Sequence, residues 1–163
     1  RVATVPGPWQ AQFPDLRHSS GRAVYRRRFS VPDHAPGTEI ALRFGAVFHF
    51  ATVRVNGVEV GRSDNGWLPF DCVIPPGILR SENVVTVDCL LPDGDPATSP
   101  DAPFAEIPHG KQSWYGPTGG IWQSVSLELR HPCHLHSAAI AADPFGRIGL
   151  TLHLSQPADV RHS

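Results

Sequence analysis

Methionine is absent from the 163 residues, and the chain opens on Arg1. A natural gene product starts with Met, so the sequence reads as a trimmed piece of something longer, its termini hiding any signal peptide. Long apolar runs are missing too. None reaches the length needed to span a bilayer. Charge of one sign is scarce: 14 Lys and Arg stand against 15 Asp and Glu, a net charge of -1. That removes the electrostatic footprint of nucleic-acid or anionic-membrane binding, so neither partner is expected. The short run Arg26-Arg27-Arg28 does not restore it, because neighbours on a strand point to alternate faces. Only Cys72, Cys89 and Cys133 are present, an odd number whose spacing fits no zinc or redox pattern. Three buried thiols are expected. A Cys72–Cys89 disulfide is the alternative, without local support. No Ser–His–Asp setting, phosphate loop or nucleotide fingerprint occurs either.

What is present is alternation. Hydrophobic residues are 40% and charged residues 18%, enough apolar material to build a core rather than a disordered chain. In "VVTVDCLL" Val85, Val87 and Cys89 share a face; in "SVSLELR" Val125, Leu127 and Leu129 do; in "RIGLTLHLS" Ile148, Leu150, Leu152 and Leu154 do. Each reads as a strand with one buried side. "ATVRVNGVEVGRS" reads as a hairpin, with Asn56-Gly57 supplying the positive φ angles of a type I′ turn. Further strands are expected at Ala23–Val31, Glu39–Phe44 and Phe70–Ile74. No helical period is sustained, and 17 prolines and 15 glycines punctuate the strands. The fold class expected is all-β, a sandwich or jelly roll.

Two stretches break this rhythm. Residues 91–120 carry no strand signal, and loops of that length in compact domains are mostly functional or disordered. Within them, "HGKQSWY" sets His109, Lys111, Gln112, Trp114 and Tyr115 side by side. A sugar ring presents apolar C–H faces and a rim of hydroxyls, and stiff aromatics with polar neighbours suit both. A loop whose Trp and Tyr fold back to plug the sandwich has the same composition, and both readings stand. The second break is "LRHPCHLH". Beyond it about thirty residues fit two or three strands, too few for a separate sandwich. Domains are therefore expected at 1–130 and 131–163, the second truncated.

Other constellations carry less. Trp9 and Trp67 sit in proline-rich turn settings and read as packing residues. Asp93, Asp95, Asp101 and Glu106 cluster in the long loop, where a glycosidase pair would need a defined separation; solvated loop acids are the plainer reading. Asp93-Gly94-Asp95 lacks calcium-loop spacing. His131, His134, His136 and His153 have no fixed second pair for zinc and read as exposed strand residues. No metal site and no cofactor is expected.

In order and spacing, "VPGPWQ", "RAVYRRRFSVP", "LRFGAVFHFATVRVNGVEVG", "GWLPFD", "ENVVTV" and "PHGKQSWYGPTGGIWQSVSLELR" resemble the N-terminal sandwich of glycoside hydrolase family 2 over residues 4–130. That family includes β-galactosidases, β-glucuronidases and β-mannosidases. The resemblance implies a galactose-binding-like jelly roll, followed from about residue 132 by the first strands of an immunoglobulin-like sandwich. It further implies a catalytic (β/α)8 barrel outside this sequence. The barrel's acid/base Glu follows an Asn; here Glu82-Asn83 has the reverse order and a turn setting, so no catalytic residue transfers. What does transfer is a substrate-binding role for the loop at His109, Lys111, Gln112, Trp114 and Tyr115, which in relatives walls the terminal-sugar site. Galactosidases and glucuronidases often present an acid there; this sequence has Lys111, Gln112 and Trp114.

Three functions follow. The chain is the non-catalytic support domain of an exo-glycosidase, with carbohydrate and the barrel of its own chain as partners; or a free-standing carbohydrate-binding module; or an interaction sandwich without a sugar role, since fold alone does not fix function. Orphan strands between 133 and 155 would leave pairing edges open to a homodimer. The sugar, its linkage and the compartment are left open.

Overall fold

The computed structural model describes residues 1–95, 97, 100, 107 and 118–156. It is built almost wholly of strands. β1 (Gly21–Phe29), β2 (Glu39–Phe44), β3 (Val47–Phe48) and β4 (Phe50–Val55) come first. β5 (Val58–Ser63), β6 (Phe70–Val73), β7 (Asn83–Leu91) and β8 (Gly120–Ile121) follow. β9 (Val125–Arg130), β10 (Leu135–Ala142) and β11 (Ile148–Leu154) close the chain. The only helical elements among the described residues are one four-residue turn of α-helix, Trp9–Gln12, and two short 3-10 turns.

The chain divides into two compact units, one of Arg1–Pro32 and Ile40–Glu128, the other of Asp33–Glu39 and Leu129–Ser163. In the first, a four-stranded sheet runs β1-β7-β4-β5 and a three-stranded sheet runs β6-β2-β9. β3 and β8 form a small ladder of their own, with Val47 opposite Ile121 and Phe48 opposite Gly120. β7 is the central strand of the larger sheet, antiparallel to both β1 and β4. Its period-2 pattern explains that place: Val87, Cys89 and Leu91 are buried together with Val53 and Val55 of β4. The facing side of the core comes from Ile40, Leu42 and Phe44 of β2 and Cys72 of β6. Fully burying an aliphatic or aromatic side chain of this kind stabilises by about 1.5–3 kcal/mol, which makes this cluster the main source of stability.

The hairpin forms as read, with Val55 opposite Val58, Asn56 at φ 52° and Gly57 at φ 88°. Asn56 does more than turn the chain. Its Oδ1 accepts the Val84 amide at 2.9 Å, and its Nδ2 donates to the Ile78 carbonyl at 2.7 Å and to Asn83 Oδ1 at 2.9 Å. Asn83 is fully buried, accepts the Arg80 amide and donates to the Arg80 carbonyl, both at 2.9 Å. It opens β7 rather than lying in a turn.

Three expectations need correction. β1 covers Gly21–Phe29, two residues earlier than the hydrophobic pattern suggested at both ends, because its ladder with β7 ends at Phe29↔Asn83. Cys72 and Cys89 are buried free thiols, but Cys133 is only half-buried. β9 and β11 lack the fully buried side their alternation promised. Val125 and Leu129 are exposed, and so are Ile148, Leu150, Leu152 and Leu154. In the second unit β10 and β11 pair only with each other. Ile140 and Leu150 face each other across that ladder with nothing over them.

Candidate functional site

The loop between β7 and β8 is held at three points. At its start Leu91 and Pro92 are fully buried. Within it Ile107 is buried and joins the hydrophobic core. At its return Gly119 and Gly120 are locked by the N-terminal segment. Gln10 is buried, and its Oε1 accepts the Gly119 amide at 2.8 Å, while its Nε2 donates to the Ser19 carbonyl at 2.9 Å. The Trp9 amide donates to the Gly119 carbonyl at 3.2 Å, and the Gly7 amide to the Ile121 carbonyl at 3.0 Å. The motif "VPGPWQ" thus acts as a clamp on "GGI", more than a hundred residues downstream.

The glycines are what let the clamp close. A Cβ on Gly119 would run into the Trp9 indole, and one on Gly120 into the Tyr25 hydroxyl. Gly120 also sits at φ +93°, where a side chain is strained whatever the space. The Tyr25 hydroxyl is itself buried. Burial pushes its phenol up to about 12, against a smaller opposing pull from the Ile121 backbone, so it stays neutral.

Beside the return leg stands a ladder of aromatic rings. Trp122 donates its indole N–H to the Gly66 carbonyl at 2.9 Å and meets Trp67 edge-on at 5.4 Å. Trp67 meets Phe48 edge-on at 5.3 Å. His49 packs between Phe48 and Phe50, with centroids 5.1 and 4.6 Å away. These are the offsets that ring quadrupoles favour. The His49 Nδ1 is buried without a partner among the described residues, and burial lowers its pKa, with Asp64 opposing. Trp9 is a packing residue as expected. Trp67 packs along one edge only and remains 44% exposed.

His109, Lys111, Gln112, Trp114 and Tyr115 lie outside the described residues, as do Asp101 and Glu106. Asp93 and Asp95 serve the turn at the loop's start, accepting the backbone amides of Asp95 and Ala97 at 3.2 and 2.8 Å. His131 and His134 bond to backbone carbonyls of their own turn. Among the described residues no three metal-ligating side chains converge. Gln10, Tyr25 and Ile107 were not singled out from the sequence. The one signal available was the "PWQ" motif itself, a polar Gln directly after a Trp destined for the core.

The family model for glycosyl hydrolases family 2, sugar binding domain, matches residues 2–132. A β-glucuronidase of the dog, Canis lupus familiaris, is 39% identical over 124 residues, 74% of this chain and 19% of its own length. One from Formosa agariphila is 27% identical over 136 residues, 76% of this chain and 13% of its own. Among solved structures, a β-glucuronidase of Faecalibacterium prausnitzii superposes with a TM-score of 0.70 at 21% identity, covering 96% of this chain and 31% of that one. A β-galacturonidase from Eisenbergiella tayi bound to galacturonate reaches 0.63 at 27% identity, covering 88% and 23%. The chain therefore spans less than a third of the length of these relatives. Fold, order of motifs and family match agree, and the chain belongs to glycosyl hydrolase family 2 through its sugar binding domain.

Proposed function

We propose that this chain is the non-catalytic, N-terminal carbohydrate-binding and support part of a family 2 exo-glycosidase. The observation that carries the reading is the three-point fixation of the β7–β8 loop. Leu91-Pro92, Ile107 and Gly119-Gly120 are anchored in one core, so the segment 108–117 leaves and returns at fixed positions. A loop spanned between rigid ends can present His109, Lys111, Gln112, Trp114 and Tyr115 to a neighbouring pocket with little ordering cost. In this reading the pocket belongs to a (β/α)8 barrel in the same protein. The aromatic pair covers a C–H face of the terminal sugar, and Lys111, Gln112 and His109 bond its hydroxyls. The second unit supplies the first strands of an immunoglobulin-like domain between the two. No residue of this chain breaks the glycosidic bond.

The relatives named as β-glucuronidase and β-galacturonidase support the exo-glycosidase class. The test is to assay the chain alone and the full-length enzyme on a panel of aryl glycosides. Turnover is expected only from the full-length enzyme, and turnover by the chain alone would overturn the proposal.

A second reading, a free-standing carbohydrate-binding module, draws on the half-exposed Trp67 beside the loop's return. Calorimetric titration of the chain with oligosaccharides separates the two. Heat at millimolar sugar, abolished by Trp67→Ala, favours the module; a millimolar site is worth only about -4 kcal/mol, so concentrations must reach that range.

A further inference from the structure

The outer face of the β1-β7-β4-β5 sheet is strongly basic in a chain of net charge -1. Strand alternation points Arg22, Arg26 and Arg28 of β1 outward, with Arg54 of β4 and Arg62 of β5 on the same side. Arg80 stands just before β7. The acids available to them are few. Asp88 takes Arg22 at 3.3 Å, and Glu82 takes Arg28 at 3.7 Å. Glu59 is shared by Arg54 at 3.4 Å and Arg62 at 2.6 Å. Arg26 and Arg80 are left without an ion pair among the described residues. The tripeptide Arg26-Arg27-Arg28 does split between faces, but the sheet reassembles a cationic surface from four different segments.

Arg26 and Arg80 line one concavity of about 450 Å³, together with Val24, Val84, Thr86 and the Asn56-Gly57 turn. Its volume falls in the range of small-molecule sites, about 300–1,000 Å³. Its rim is not loose. Arg80 is bonded through both its amide and its carbonyl to the buried Asn83, which is bonded in turn to Asn56. Val24 is 61% exposed at the floor, an apolar surface left open where charge flanks it.

We propose that this concavity binds an anionic glycan, a sugar chain bearing carboxylate or sulfate groups. The two guanidinium forks match the geometry of either anion. Val24 and Val84 offer the C–H face of a sugar ring an apolar floor, and Thr86 offers a hydroxyl partner. No aromatic side chain lines the concavity, so it lacks the stacking platform on which single-stranded nucleic acid depends. The site is separate from the β7–β8 loop and stands or falls independently of the exo-glycosidase reading.

The test is a ¹⁵N-NMR titration of the chain with four probes: tetragalacturonate, a heparin-derived tetrasaccharide, maltotetraose, and an oligothymidine of equal charge. Either or both anionic sugars are expected to shift the amides of Val24, Arg26, Arg80, Val84 and Thr86, and a response to one alone identifies the anionic group. Maltotetraose is expected to leave them in place, and oligothymidine to bind about tenfold more weakly. The double variant Arg26→Gln/Arg80→Gln, exposed positions that leave the unfolding midpoint unchanged, should weaken binding about tenfold or more. Arg62→Gln, already paired to Glu59, should change it less than about twofold. Equal binding of the neutral sugar, oligothymidine binding as tight as the glycans, or undiminished binding by the double variant would each overturn the proposal.

Discussion

The side-chain oxygen of Gln10 accepts a hydrogen bond from the backbone amide of Gly119, across 109 residues of sequence, at 2.8 Å and out of contact with water. The Trp9 indole closes over the same glycine. One end of the molecule's longest loop is therefore fixed by a motif near the other end of the chain. A hydrogen bond of this kind contributes modestly when made, but leaving its buried donor unpaired costs about 1–3 kcal/mol.

Gly120→Ala is expected to be the most damaging small change at the clamp. It combines a methyl group driven into the Tyr25 hydroxyl with a φ of +93° that alanine tolerates poorly. A loss of about 2–4 kcal/mol is expected from overpacking and strain together. Gln10→Ala should lose about 1–3 kcal/mol by leaving the Gly119 amide unpaired. Urea unfolding of each variant measures both, and wild-type midpoints would show that the loop's return is held by something else.

Asn83→Leu should destabilise by about 2–4 kcal/mol although it is nearly isosteric and gains apolar surface. Asn83 satisfies Asn56 and both backbone groups of Arg80 in a fully buried setting, and leucine satisfies none of them. Chemical denaturation decides the sign; a neutral or stabilising result would mean that water replaces the network.

Stability should fall on both sides of neutrality. Burial holds the Cys72 and Cys89 thiols up at about 12, against an ordinary value of 9.0, and Tyr25 up at about 12 against 10.0. The folded state keeps these protons while the unfolded state releases them, so stability declines as pH rises from about 9 towards 12. His49 runs the other way. Its pKa is depressed from 6.5, so its neutral form favours the folded state, and that contribution is lost as pH falls below 6.5. Unfolding midpoints against pH test both limbs. Thiol titration at pH 8 should find Cys133 reactive and Cys72 and Cys89 silent until the chain unfolds.

Much of the sandwich was legible because period-2 alternation and the Asn-Gly pair are local signals. β2, the β4–β5 turn and the inward face of β7 follow directly from them. What was not legible depends on contacts between distant segments. Nothing beside Gln10 announces Gly119, and nothing beside Asn56 announces Asn83. The alternation of Ile148, Leu150, Leu152 and Leu154 is real, yet a pattern specifies only which side wants cover, not whether cover exists. The arginines misled in the same way. Alternation disperses Arg26, Arg27 and Arg28, but strand pairing gathers Arg22, Arg26, Arg54 and Arg62 from three strands onto one face.

The uncovered β10–β11 hairpin should make the isolated chain associate. Ile140, Leu150 and Leu152 lie on one exposed face, and both strand edges are open. Sedimentation is expected to show concentration-dependent dimers through this surface, and Leu150→Lys/Leu152→Lys to return them to monomer. Association untouched by that double change would place the contact elsewhere.

The loop's role is tested most directly by the kinetics of Trp114→Ala in the full-length enzyme, alongside its unfolding midpoint. A ring that covers the terminal sugar should cost about tenfold or more in kcat/KM when removed, about 1.4 kcal/mol of transition-state binding or more, with the midpoint unchanged. Wild-type kcat/KM in a folded variant would contradict the account and leave the β7–β8 loop a plug of its own sandwich.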